Sequence, residues 1–289
     1  MPDTRVMELP DGRELAWLEA GRPRGRPVFA FHGTPGSRRQ VSFDEKSITA
    51  AGVRMIAPDR PGYGHSSFDP GRSLSDWGAD VSALADHLEL DSFAVVGVSG
   101  GGPHALACAR FLPERVTAAG IVSGVGPMGD PEFDVGMVGF NRGLTFLARQ
   151  SPLVLRPMFW LQEFSVRRWP DAALRAATKR FPAPDVEMLE RADVRAAFFD
   201  DANRSSATAA QAATQDFVLF SRDWGFRLQD VIVPCHVWHG DADRNVPIGH
   251  GRFMAGRLPD AVFHECPGEG HLLYVNHLEE VLRTVAPAR

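Results

Sequence analysis

Residues 92–98, Ser-Phe-Ala-Val-Val-Gly-Val, run directly into Ser99-Gly100-Gly101, so an apolar strand pattern ends in a serine flanked at two-residue spacing by Gly97 and Gly101. That spacing lets a strand reverse sharply into a helix, because glycines permit a backbone approach at which a Cβ would clash. The five-residue pattern alone is weak in a chain with 28 glycines. Its surroundings strengthen it: 93–98 reads as a short buried strand, and beyond Pro103 the residues Ala105, Leu106, Ala109 and Leu112 recur at helical spacing. Ser99 is thereby predicted at the apex, its Oγ above a sheet and the N–H groups of the next helix opening toward it.

Strand and helix patterns alternate around this turn. Segments 14–18, 27–31, 53–57, 93–98 and 118–123 read as strands, and Ser73 with Asp76 three residues on reads as the capped start of a helix carrying Leu74, Trp77, Val81, Leu84 and Leu88. Such alternation predicts a mostly parallel central sheet with helices on both faces. From 127 to 224 no clear strand is visible, and helix starts are marked at Ser151-Pro152, Pro170-Asp171 and Ser205-Ser206. Met137, Phe140, Leu144 and Leu147 are predicted to share one helical face. This third of the chain holds ten of the 19 phenylalanines and three of the six tryptophans, an aromatic load that needs either a core of its own or a pocket to cover. After Trp224 the alternation resumes, with strands at 236–239 and 261–265 and helices at 246–258 and 272–285. The economical division is an α/β core made of 1–126 and 225–289, interrupted by a helical cap at 127–224.

Composition narrows the function classes. The 289 residues can bury a large core, and a net charge of -5 from interspersed signs offers no basic stripe for nucleic acid. A small, weakly polar molecule is the expected partner. The first twelve residues lack the apolar stretch of a secretory signal, and no apolar run reaches the length of a membrane span. Cys108, Cys235 and Cys266 lie in apolar segments and read as buried free thiols of a cytoplasmic protein. Nothing fixes an oligomeric state.

Serine is a poor nucleophile unless a base takes its proton and an acid orients that base. Two loops after predicted strands supply candidates: His271 in Gly268-Glu269-Gly270-His271, and Asp241 and Asp243 in Gly240-Asp241-Ala242-Asp243. Parallel strands put all their C-terminal ends on one edge, so these groups and Ser99 are expected on a common rim. For an oxyanion, the N–H of Gly100 and that of Thr34, in the loop His32-Gly33-Thr34-Pro35-Gly36, are the candidate donors, Pro35 having no N–H. His32 is expected to pack beneath that loop. His264, the rival base, lies mid-strand. Cys235, His236, His239, Asp241 and Asp243 are close in sequence, but strand alternation splits them between two faces and their spacing fits no zinc pattern. Neither a metal nor a cofactor is called for.

His32-Gly33, the run Asp59-Arg60-Pro61-Gly62-Tyr63-Gly64-His65-Ser66, Gly97 to Gly101, Gly240 to Pro247 and Gly270-His271 form five blocks in the order seen in the α/β-hydrolase fold superfamily. The chain resembles a serine-nucleophile, esterase-like or lipase-like member with a helical cap, and the similarity covers essentially the whole core. It implies Asp243 rather than Asp241 as the acid, because Gly240, Asp243 and Val246-Pro247 match the family pattern. It also implies that Asp59 and His65 belong to a hydrogen-bonded turn. The three glycines 100–102 depart from the pattern and suggest room above the oxyanion site.

Cleavage of a small, largely apolar ester through an acyl-enzyme is the expectation. The loop around Thr34 also resembles that of proline iminopeptidases, which would call for clustered carboxylates in the cap, where Glu163, Asp185, Glu187, Asp200 and Asp201 are scattered. Carbon–carbon bond hydrolases share the same triad. A ligand receptor or an acyltransferase could reuse the fold.

Overall fold

The computed structural model describes residues 4–128, 131–203 and 207–288, with side chains at 131–132, 198 and 200–203 left aside. Eight strands form one sheet: β1 (Arg5–Glu8), β2 (Glu14–Gly21), β3 (Arg26–Phe31), β4 (Val53–Pro58), β5 (Phe93–Val98), β6 (Val116–Val122), β7 (Cys235–Gly240) and β8 (Ala261–Cys266). Their order is β1-β2-β4-β3-β5-β6-β7-β8. Pairing is antiparallel for β1 with β2 and β2 with β4, and parallel from there to β8.

Period-two alternation explains why both faces are covered. Phe29, Phe31 and Val95 pack on one side, with the helices α3 (Leu74–His87) and α4 (Gly102–Phe111). Val28, Ala30, Ala94 and Val96 pack on the other, with α2 (Glu45–Ala51) and α12 (Tyr274–Val285). The remaining helices are α1 (Arg38–Val41), α5 (Gly139–Gln150), α6 (Leu155–Arg168), α7 (Pro170–Thr178), α8 (Ala183–Glu190), α9 (Ala192–Asn203), α10 (Ala209–Phe220) and α11 (Gly249–Ala255). Ser73 and Asp76 make the reciprocal capping bonds expected of them at the start of α3.

Several boundaries differ from expectation for local reasons. The strand anticipated at 118–123 stops at Val122 because Ser123 has φ of 47°. The helix anticipated from 246 begins only at Gly249, since Asn245 N and Val246 N donate instead to Asp243 Oδ1 at 2.8 and 2.9 Å. The start at Pro170 coincides with α7. Ser205-Ser206 lies outside the described residues.

Between β6 and β7 the described chain is helical. Its side chains share a core with the loop after β4: Tyr63 packs among Leu144, Leu155, Phe159 and Ala212. Contrary to the sequence expectation, Met137 precedes α5, and Phe140 faces outward while Leu144 turns in. The aromatic load is also less buried than expected: Phe159, Phe220 and Trp224 are enclosed, whereas Phe146, Trp160, Phe164 and Trp169 are exposed. Among the described residues no helix is long and apolar enough to cross a membrane.

Candidate active site

Four loops meet at the C-terminal edge of the parallel strands. The turn after β5 carries Ser99, the loop after β3 carries Thr34, the loop after β7 carries Asp243 and the loop after β8 carries His271. Ser99 has φ of 53°, the left-handed conformation a strand-to-helix apex imposes on a non-glycine residue. Tight packing holds it there. A β-carbon on Gly97 would lie 2.2 Å from Gly101 O, and one on Gly100 would lie 2.3 Å from Thr34 Oγ1 and 3.1 Å from Thr34 N. These glycines therefore admit neighbouring backbone and the Thr34 side chain. The open room suggested by the glycine run is taken up at Gly100.

His271 Nε2 stands 3.0 Å from Ser99 Oγ, and His271 Nδ1 stands 2.7 Å from Asp243 Oδ2. Asp243 uses its other oxygen to accept the N–H groups of Asn245 and Val246, which fixes the carboxylate plane. Burial by itself would raise its pKa, but the adjacent His271 charge, with the hydrogen bond from His271 and the nearby His239 imidazole, holds it well below the usual carboxylate range. On His271 burial acts to lower the pKa. The charge and hydrogen bond of Asp243, helped by Asp185, outweigh it and raise the imidazole above its ordinary value.

The two aspartates of the β7 loop have separate partners. Asp241 Oδ1 accepts Gly268 N at 2.7 Å and, together with the bond from Ala242 N to Glu269 O, stitches the loop after β7 to the loop after β8. His264 sits away from this edge, its Nε2 3.1 Å from His236 Nδ1 and its ring stacked on Trp238. His32 is buried beneath the Thr34 loop and accepts Arg60 N at 3.1 Å. Asp59 pairs with Arg38 and accepts His65 N at 2.9 Å. Cys235 and His236 do not reach Asp243, and among the described residues no group of three His, Cys, Asp or Glu side chains is arranged to hold a metal.

Sequence reasoning placed none of three neighbours at this site, Asp185 and His239 having been weighed only in other roles. Asp216, buried on α10, accepts Thr34 Oγ1 at 2.7 Å, Arg60 Nη1 at 2.7 Å and Tyr63 OH at 2.8 Å. Asp185, buried on α8, accepts Leu272 N at 2.8 Å beside His271. His239 donates through Nε2 to Val246 O at 2.7 Å and stands 3.5 Å from Asp243 Oδ2. A lone carboxylate amid the apolar residues of α10 was the visible signal for Asp216; its partners lie too far away in sequence to be inferred. A cavity of about 610 Å³ lined by Phe133, Val135, Pro182, Arg244, Pro247 and Phe253 borders Asp243 but includes neither Ser99 nor His271.

Comparison with known proteins agrees with this architecture. The profile of the Alpha/beta hydrolase family matches residues 28–284. The uncharacterized hydrolase YcgS of Bacillus subtilis is 34% identical over 115 residues, 40% of this chain and 39% of that protein, so the matched stretch spans well under half of that relative. A 2-hydroxy-6-oxo-6-phenylhexa-2,4-dienoate hydrolase of Burkholderia cepacia is 29% identical over 266 residues, covering 89% of this chain and 85% of the relative. The enol-lactonase of Burkholderia xenovorans superposes with a TM-score of 0.71 at 19% identity, over 97% of this chain and 98% of that one. The eight-stranded sheet, the sharp turn at Ser99 and a family match over nearly the whole length lead to one assignment: this chain belongs to the Alpha/beta hydrolase family.

Proposed function

We propose that the chain is a serine hydrolase that cleaves small, largely apolar carboxylic esters through an acyl-enzyme. The carrying observation is the pair of contacts linking Ser99 Oγ, His271 and Asp243 at 3.0 and 2.7 Å. With Nδ1–H donated to Asp243, the neutral imidazole offers Nε2 as the acceptor for the Ser99 proton. Ser99 Oγ attacks the ester carbonyl as His271 takes that proton, and the carbonyl oxygen becomes an oxyanion received by the N–H groups of Gly100 and Thr34. Collapse breaks the C–O bond, and His271 returns its proton to the departing alkoxide. Water then enters, gives a proton to His271 and attacks the acyl-enzyme; Ser99 leaves with a proton and the carboxylic acid is released. In this reading residues 127–224 act as a cap on the core formed by 1–126 and 225–289, and its inward aromatics shape the acyl or alcohol pocket. The three buried free cysteines suit a cytoplasmic setting.

Esters of short to medium acyl chains are expected to be turned over well, since each buried methylene is worth about 0.8 kcal/mol. A parallel screen of p-nitrophenyl esters, thioesters, proline anilide and a dienoic ketone tests this. A tenfold preference in kcat/KM for the anilide would overturn the esterase reading in favour of a peptidase. Among the cap carboxylates, Asp185 is buried and accepts Leu272 N through one oxygen, whereas Glu187 is exposed, so these two do not pair into an amine-binding cluster; the side chains of Asp200 and Asp201 lie outside the description. Similarity to the dienoate hydrolase over most of both chains supports carbon–carbon bond cleavage as the second reading.

The same mechanism fixes a pH dependence. His271 must be neutral to accept a proton, and its pKa is raised by Asp243. The acidic limb of kcat/KM for an ester should therefore follow one ionisation with its midpoint above the ordinary histidine value of 6.5, with activity full above it and lost below it. A rate still flat at about pH 4, below any ordinary histidine, would exclude a histidine base.

A further inference from the structure

Behind Thr34 and Gly100 lies a buried charged cluster that ester hydrolysis alone does not explain. Arg60, Arg72 and Asp216 are all buried. Asp216 takes Arg60 on Oδ2 and Arg72 on Oδ1. Among the described residues neither arginine has a second carboxylate partner. Asp59, one residue before Arg60, is occupied by Arg38 and His65 N.

Two guanidinium cations thus face one carboxylate. Asp216 is ionised: burial opposes its charge, but Arg60 and Arg72 hold its pKa far below the usual range. The imidazoles nearby are neutral, since burial and then the charge of Arg60 pull His32 and His104 well below their ordinary value. Tyr63 stays protonated, held up by burial and by Asp216. One positive charge is left over, and Arg60 Nε and Arg72 Nε have no acceptor. Enclosing an uncompensated cation is costly unless an anion arrives to meet it.

The excess charge is wired to the two loops that carry Thr34 and Gly100 beside Ser99. Arg60 Nη2 donates to Gly33 O and to Thr34 Oγ1, each at 2.8 Å. Its Nη1 stands 3.3 Å from the His104 ring, and His104 Nδ1 lies 2.9 Å from Gly100 O. We infer that Arg60 and Arg72, sharing the single carboxylate of Asp216, form a buried cationic support that tunes the N–H donors of Thr34 and Gly100 for a singly charged oxyanion, either the tetrahedral adduct or a carboxylate product. Both arginines are positioning residues acting through Thr34 and Gly100. The inference rests on the serine-hydrolase reading above.

Gln215 permits a test of charge at nearly constant shape. Its Oε1 accepts Arg72 Nη1 at 2.9 Å and its Nε2 donates to Pro70 O at 3.0 Å, so Gln215→Glu supplies the missing negative charge at nearly the same volume but gives up the bond to Pro70. A boronic acid, whose Ser99 adduct is an anion, and p-nitrophenyl butyrate are the probes. Gln215→Glu is expected to lower boronate affinity and kcat about fivefold with KM unchanged, and Arg72→Met to lower both about tenfold, equivalent to about 1.4 kcal/mol. Arg72→Lys, which keeps the charge, should restore most of the loss. Variants within twofold of wild type, or Arg72→Lys falling as far as Arg72→Met, would overturn the charge inference while wild type still labels at Ser99 with a fluorophosphonate. A wild-type protein that does not label there would remove the hydrolase reading and this inference together.

Discussion

Ser99→Ala is expected to lower kcat for a good ester by roughly 10⁵- to 10⁶-fold, the scale seen when a triad serine is removed from a serine hydrolase. The substitution deletes the atom that would form the acyl bond and leaves His271 facing a methyl group. Because Ser99 already has φ of 53°, alanine inherits the same conformation without the hydroxyl, and the backbone contacts of Gly97 and Gly101 remain. Folding should be nearly unchanged. The check is covalent: wild type should gain one fluorophosphonate adduct on the peptide containing Ser99, and the variant none. An adduct mapped to another serine in an active preparation would strike out Ser99 as nucleophile.

Asp243→Asn should be almost as severe, about 10⁴-fold in kcat. Its carbonyl oxygen can keep the bonds from Asn245 N and Val246 N, which turns the new NH₂ toward His271 Nδ1. A donor there requires Nδ1 to be the acceptor, so the ring proton moves to Nε2 and His271 can no longer take the proton of Ser99. Asp241→Asn leaves the imidazole tautomer alone. Its carbonyl can still accept Gly268 N, so a change below about threefold is expected, small beside the loss at Asp243. Steady-state kinetics on the two variants separates them, and a reversal of the two effects would transfer the acid's role to Asp241.

The elements nearest this chemistry were the legible ones because their signals are local. The run 93–98 is apolar on both faces, as a central parallel strand must be, and the turn at Ser99 is encoded within five residues. Asp241 and Asp243 were not separable from the residues alone. Both follow the same strand, and which carboxylate meets His271 depends on how the loop closes on Asn245 and Val246. β1 and the short helices α1 and α2 carry too few patterned residues to stand out, and β1 is an exposed edge strand. Asp216 was illegible for another reason: its partners come from two separate loops, those after β3 and β4, and only the folded chain brings a residue of α10 to Thr34.

His271 hangs from β8, the last strand in the sheet order, with β7 as its single neighbour in the ladder. An edge element of that kind can detach locally at a lower free-energy cost than the whole sheet. Excursions of β8 and its loop would carry His271 away from Ser99 while β3, β5 and β6 stayed folded. Turnover then becomes a gauge of one fraying margin, and heat or denaturant would silence the protein before its spectroscopic melting began.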